Sequence, residues 1–279
     1  MSGLKDLEIG VMFWATGNPV ETLREVKSLG VSVGQLGVRG DLRLEGAAEI
    51  WREALTQENF TLVTVFCAYN GESYADGPTV EATVGFIPRS TRAEREQRTK
   101  DVSDFAAEIG VNSIACHVGF VPKDPADPDY VAVRDVVRRI CDHAAQHGQT
   151  FAMETGQERA EVLLGFLKDV DRKNLGINFD PANLIMYGTG DPILAVEVLS
   201  EHLLSVHCKD GVWPPKLPAG ALGSETPLGE GAVGMDKFIA KLKQIGYKGT
   251  LNIEHEIDDL EQKSKDMRKG VELLTRLRA

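Results

Sequence analysis

Three carboxylates and one imidazole stand at the ends of short apolar runs in the second half of this sequence. Glu154 closes AME, Asp180 closes INFD, His207 lies in SVHCKD and Glu254 closes LNIE. An ionised carboxylate beside an apolar run is costly to bury unless it is paired or bound to a cation, and three brought together repel. A divalent cation resolves that repulsion. Three carboxylates with one imidazole suit Mn2+, Mg2+ or Co2+ better than a thiolate-seeking metal, and Zn2+ is also compatible, because affinity order alone does not select the ion. Taken singly, each residue reads more readily as a strand-end polar group bonded to nearby backbone. All four at the same place in successive runs point to a metal centre.

Such groups converge only if the elements beneath them are neighbours. Strand-length apolar runs at 8–14, 31–37, 60–67, 111–117, 150–154, 175–180, 203–208 and 249–254 alternate with helical patterns at 19–29, 45–58, 91–109, 128–147, 158–171, 191–201, 235–245 and 259–277. SLGVSVGQL, EIGVNSIAC and QIGYKGTLN repeat one phrase, a helix closed by Gly30, Gly110 or Gly246 and followed at once by a strand. Eight such units predict an α/β chain of the (β/α)8 TIM barrel class, one domain over residues 1–279. The fifth to eighth strands are then adjacent, and their four polar ends meet above the core. The longer connections at 68–90, 118–127 and 209–234 fall on that same face, where such barrels build their sites.

The net charge of -11 over 279 residues disfavours nucleic acid and anionic membrane surfaces as partners. No window approaches the roughly 18 apolar residues of a membrane span, and the N-terminus carries no signal-peptide pattern. Cys67, Cys116, Cys141 and Cys208 are scattered, as reduced thiols in a cytoplasmic protein would be. A homo-oligomer is compatible with this composition.

The motifs METGQE (153–158), NFDPAN (178–183), VHCKDG (206–211), PLGEG (227–231) and NIEHE (252–256) resemble those of the xylose isomerase-like TIM barrels, the sugar (phosphate) isomerases and epimerases, and the resemblance runs over almost the whole chain. It implies metal ligation by Glu154, Asp180, His207 and Glu254. It also implies a mechanism in which the metal grips a carbonyl and an adjacent hydroxyl oxygen while Glu154 and Glu254 handle protons on opposite faces of the sugar. The family's ketose 3-epimerases place a histidine three residues after the ligand Asp and an arginine soon after the ligand His. Here those neighbourhoods hold Asn183 and Lys209, hydrogen-bond donors of a different kind.

Other residues have two readings each. His117 ends the fourth strand, as a substrate contact or as a plain strand-end group. Glu158 reaches the sugar or its bound water, or sits in the first turn of the next helix, where negative charge is favourable. Lys209 and Asp210 pair with each other or meet substrate. Trp14 and Trp213 suit an apolar wall against a sugar ring, or simple packing. Arg89 and Arg92 read first as part of a solvated helix face. Glu256 shares the parity of Glu254, and His255 points the other way. The expectation is a metal-dependent sugar or sugar phosphate isomerase or epimerase. A lyase cleaving 3-keto-glycosides or dehydrating an inosose on the same site is the alternative. An endonuclease IV-like phosphodiesterase ranks below both, because only His117 and His207 end strands.

Overall fold

Each of the eight apolar runs forms a strand: β1 (Ile9–Trp14), β2 (Val33–Val38), β3 (Thr61–Cys67), β4 (Ser113–Cys116), β5 (Thr150–Glu154), β6 (Leu175–Phe179), β7 (Leu203–Cys208) and β8 (Leu251–Ile253). The computed structural model describes residues 4–279. Every strand pairs in parallel with its neighbours in sequence, and β8 pairs with β1, so the barrel closes with no free edge. The helices α1 (Pro19–Lys27), α2 (Ala47–Glu58), α3 (Gly77–Thr83), α4 (Arg92–Glu108), α5 (Pro128–Gln146), α6 (Ala160–Val170), α7 (Pro181–Tyr187), α8 (Pro192–Val198), α9 (Met235–Gln244) and α10 (Leu260–Arg278) occupy the connections. Gly30, Gly110 and Gly246 adopt φ of 89°, 80° and 76°, the left-handed turn expected where a helix stops and a strand begins.

The strand period of two divides each strand between two environments. On β5 and β6, Phe151, Met153, Ile177 and Phe179 face the helices and are fully buried. The alternate residues Ala152, Glu154, Asn178 and, past the end of β6, Asp180 face the barrel interior. Small Ala115 and Ala152 pack there with Met12 and Phe66 and leave room above them for polar groups. The pairing slips by one residue between Gly34 and Gln35 on β2 and between Ile177 and Asn178 on β6. Such irregularities re-aim side chains, and Gln35 and Asn178 meet across the interior at 3.1 Å.

Two short helices occupy segments that the hydrophobic pattern left as loop. Asp76 caps α3 through the Thr79 amide, with Pro78 in its first turn. Asp180 caps α7 through Ala182 and Asn183, with Pro181 at its start. Both are too short for a helical period to show. A two-stranded ribbon, Asp210–Gly211 with Glu225–Thr226, folds the base of the 209–234 connection over the barrel mouth. The helix expected over 191–201 ends at Val198 and gives way to a single 3-10 turn at Ser200–His202. The basic stretch beginning at Arg89 is only partly solvated. Arg95 is buried and bonds the Thr83, Gly85 and Asn70 carbonyls, fastening the long β3–α4 connection, while Arg89 and Arg92 both pair with Asp129. All four cysteines are buried and free. Among the described residues no helix is long and apolar enough to cross a membrane.

Candidate metal centre

Glu154, Asp180, His207 and Glu254 offer ligand atoms that all lie within 4.8 Å of one another. They come from β5, the end of β6, β7 and the end of β8, in the order of the barrel wall. Asp180 and His207 are fully buried, Glu154 is nearly so, and the Glu254 side chain is a tenth exposed. His207 Nδ1 stands 2.9 Å from Glu154 Oε1 and 2.9 Å from Glu254 Oε2. Its other nitrogen, Nε2, donates to Gln35 Oε1 at 2.7 Å, and Gln35 in turn donates to Asn178. That contact turns Nδ1 toward the carboxylates, the orientation a metal-ligating histidine needs.

The donor set fits a divalent ion on grounds internal to the site. Asp180 uses Oδ1 to accept from the Ala182 and Asn183 amides, while its buried Oδ2 has no hydrogen-bond partner. Glu254 Oε2 is likewise buried without a well-formed hydrogen bond. Buried acceptors left open in this way call for a cation. Three carboxylate oxygens with one imidazole nitrogen suit a hard or borderline ion such as Mn2+, Mg2+ or Co2+, and Zn2+ remains compatible.

The buried side chains shift one another's protonation equilibria. Burial pushes the Glu154 carboxyl up to about 8, against the pull of His207. Burial acts in the same direction on Glu254, but Lys209 and His207 outweigh it and hold its carboxyl well below the usual range. His207 is burdened by burial yet driven well above its ordinary value by Glu254 and Glu154. Burial lowers His117 to about 3, so that imidazole is neutral. His117 Nδ1 accepts from Gln157, and its Nε2–H faces Glu154 Oε2 at 3.3 Å.

A cavity of about 670 Å³ opens above the quartet, and Glu154 and Glu254 line its floor, whereas Asp180 and His207 lie beneath it. Of the other residues singled out from the sequence, Trp14, His117, Asn183 and Lys209 all line this cavity. Asn183 Nδ2 approaches Glu154 Oε1 at 3.4 Å. Lys209 Nζ lies 3.3 Å from Glu254 and 3.4 Å from Glu225, so it does not pair with Asp210, whose carboxylate instead accepts from the Gly211, Gly229 and Val233 amides. Trp14 Nε1 donates to Glu256, which lines the cavity as its parity with Glu254 required, and His255 turns away to Glu225 and Asp266.

Two expected contacts are not made. Trp213 is 48% exposed and stands outside the cavity lining, which the same loop joins farther along through Pro218, Ala219 and Leu222. Glu158 precedes α6 instead of joining its first turn, and it is buried away from the cavity, with Oε1 accepting the Val121 amide at 2.7 Å. It ties the loop after β5 to the loop after β4. Sequence reasoning missed Gln35, Gln157, Tyr74, Tyr187 and Glu225. The first lies inside the barrel on a distant strand, and the others sit in connections with no period to mark them.

Gln35→Met keeps the volume but removes the acceptor that orients His207, and it is expected to weaken Mn2+ binding by about 10–100-fold in a calorimetric titration; unchanged affinity would remove Gln35 from the site. Glu158 gives a separate pH signature. Burial raises its carboxyl from 4.5 to about 8, so the folded state holds a proton that the unfolded chain releases, and stability falls as pH rises across that interval. Glu158→Gln retains the acceptor for Val121 and carries no charge. Its urea midpoint should therefore fall less between about pH 5 and about pH 8 than that of the wild type; parallel pH profiles would contradict the buried-acid assignment.

The xylose isomerase-like TIM barrel pattern matches residues 23–277. The structure is similar to a xylose isomerase domain protein from Planctomyces limnophilus, with 41% sequence identity, a TM-score of 0.91 and coverage of 98% of both chains. It also shares its fold with 3-keto-D-glucoside 4-epimerase from E. coli, at 17% identity and a TM-score of 0.69 over 97% of this chain and 99% of that one. Among curated proteins, an uncharacterized protein from Methanocaldococcus jannaschii is 27% identical over 184 residues, which are 61% of this chain and 59% of that protein. With an eight-stranded parallel barrel and a polar quartet across its last four strands, the chain belongs to the xylose isomerase-like TIM barrel family.

Proposed function

We propose that this protein is a divalent-metal-dependent isomerase or epimerase of an unphosphorylated sugar, working by removal of a proton beside a carbonyl. The observation that carries this reading is the split within the quartet. Asp180 and His207 lie closed off beneath the floor, whereas Glu154 and Glu254 face the cavity from β5 and β8, the strands that flank the other two. Two carboxylates facing one substrate from separate sides can remove a proton from one face and return it to the other. When bound, the metal supplies Lewis-acid stabilisation of the oxyanion that develops as that proton leaves.

The chain's own groups supply the rest. Lys209, against Glu254, favours its ionised form and presents an ammonium to substrate oxygens. Neutral His117 and the Asn183 amide hold Glu154 from its other side and stand close enough to share a hydroxyl with it. Trp14, Phe66, Tyr74 and Tyr187 furnish flat walls for a sugar ring. Charge supports an uncharged substrate. Glu72, Asp76, Glu154, Glu225, Glu254 and Glu256 line the cavity, Lys209 is its one lysine, and it contains no arginine among the described residues. A phosphate group would meet mostly negative charge there. The keto-glucoside named for the E. coli relative is also an unphosphorylated substrate.

A second reading, a lyase acting on a 3-keto-glycoside, draws on the outer cavity. Met186, Pro218, Ala219 and Leu222 line it and leave apolar room beyond a single ring for a leaving group. The two readings share proton removal and part at the product.

With Mn2+ and the reactive sugar in heavy water, the wild type should incorporate deuterium at carbon, and an isomeric sugar or a released aglycone identifies the outcome. Glu154→Gln and Glu254→Gln each keep a ligand oxygen but lose the base, and each should slow exchange by about 10²–10⁴-fold with Mn2+ still bound. Exchange at the wild-type rate in both variants would overturn the proton-transfer roles.

A further inference from the structure

A second cluster of metal-ligating side chains lies far from the cavity. His143 is in the last turn of α5, and His147 follows as its C-cap residue. A spacing of four puts both rings on one face of the helix, one above the other. They meet Asp104 of α4 across the groove between the two helices: His143 Nε2 stands 2.7 Å, and His147 Nε2 2.8 Å, from the same carboxylate oxygen, Oδ1. The ring centroids are 5.6 Å apart and nearly perpendicular. The three ligand atoms lie within 4.8 Å of one another, and the side chains are 23%, 33% and 48% exposed for His143, His147 and Asp104. Solvent can therefore reach the point on which they converge.

The geometry points to a second metal site here, one for a borderline transition ion of the Zn2+, Ni2+, Cu2+ or Co2+ type. Two imidazole nitrogens and one carboxylate oxygen form a three-ligand set that leaves a position for water, an arrangement zinc accepts. The nitrogen content separates this site from the oxygen-rich barrel centre, because Mg2+ binds oxygen ligands and has little preference for imidazole. In the tautomer that carries the ring proton on Nδ1, the Nε2 atoms that now meet Asp104 Oδ1 present their lone pairs to the ion.

The place in the fold assigns the role. Asp104 and His143 sit near the C-terminal ends of α4 and α5, which lead into β4 and β5. They are therefore at the face of the barrel where the strands begin, opposite the cavity, and that face serves stability in such folds. An ion there clamps two neighbouring helices of the outer ring.

The test is a Zn2+ titration by calorimetry of the wild type and of His143→Ala/His147→Ala, both first saturated with Mg2+. His147→Gln serves as a milder second variant should the double substitution disturb the fold. The wild type should bind one more equivalent of Zn2+ than either variant, and deuterium exchange at the barrel centre should be the same in all three. Equal Zn2+ stoichiometry in wild type and variants would overturn the proposal.

Discussion

Three carboxylates packed around one imidazole at the bottom of a cleft repel one another, and the upper half of this barrel is arranged around that repulsion. Water would screen it, but Asp180 and His207 are out of contact with solvent and Glu154 is nearly so. The neighbours relieve it only in part. Lys209 offsets Glu254, His117 and Asn183 approach Glu154, and two helix amides occupy one oxygen of Asp180. The inward oxygen of Asp180 has no hydrogen-bond partner. A divalent cation completes such a set, and the same demand keeps the four side chains aimed at one point.

The means of bringing them together are simple. A period of two along each strand selects alternate residues for the interior, and closure of eight parallel strands brings the interior residues of β5 to β8 to a common level. Helix capping then adds precision at Asp180, where one oxygen is engaged as the cap of α7 and the other is thereby turned inward. The irregularities at Gln35 and Asn178 perform a similar service for His207. One link in this chain is therefore purely local sequence, and the next is purely topological.

That division explains what could be read in the residues alone. The eight strands and the four converging polar groups were legible because a polar group ending an apolar run is a local signal repeated at regular intervals. Glycines at helix ends marked the turns for the same reason. Short α3 and α7 were not legible from hydrophobic period, although Asp76 and Asp180, each followed by a nearby proline, carried a capping signal that the period obscured. Gln35 was invisible because its importance lies in a partner 172 positions away. Glu158 was misplaced because side-chain direction in a loop depends on contacts with other loops, here with the Val121 amide, and Trp213 sits in a loop with no period to show which of its residues face the cavity. Where the sequence departs from the ketose 3-epimerase pattern, at Asn183 and Lys209, both side chains still line the cavity and the quartet is intact.

The central claim concerns where the ion sits, and anomalous X-ray diffraction from crystals grown with Mn2+ addresses it most directly. A single strong peak at about 2.0–2.3 Å from His207 Nδ1 and from one oxygen each of Glu154, Asp180 and Glu254 is the expected result. Crystals of protein whose activity depends on manganese but which show no peak among these four side chains would contradict it.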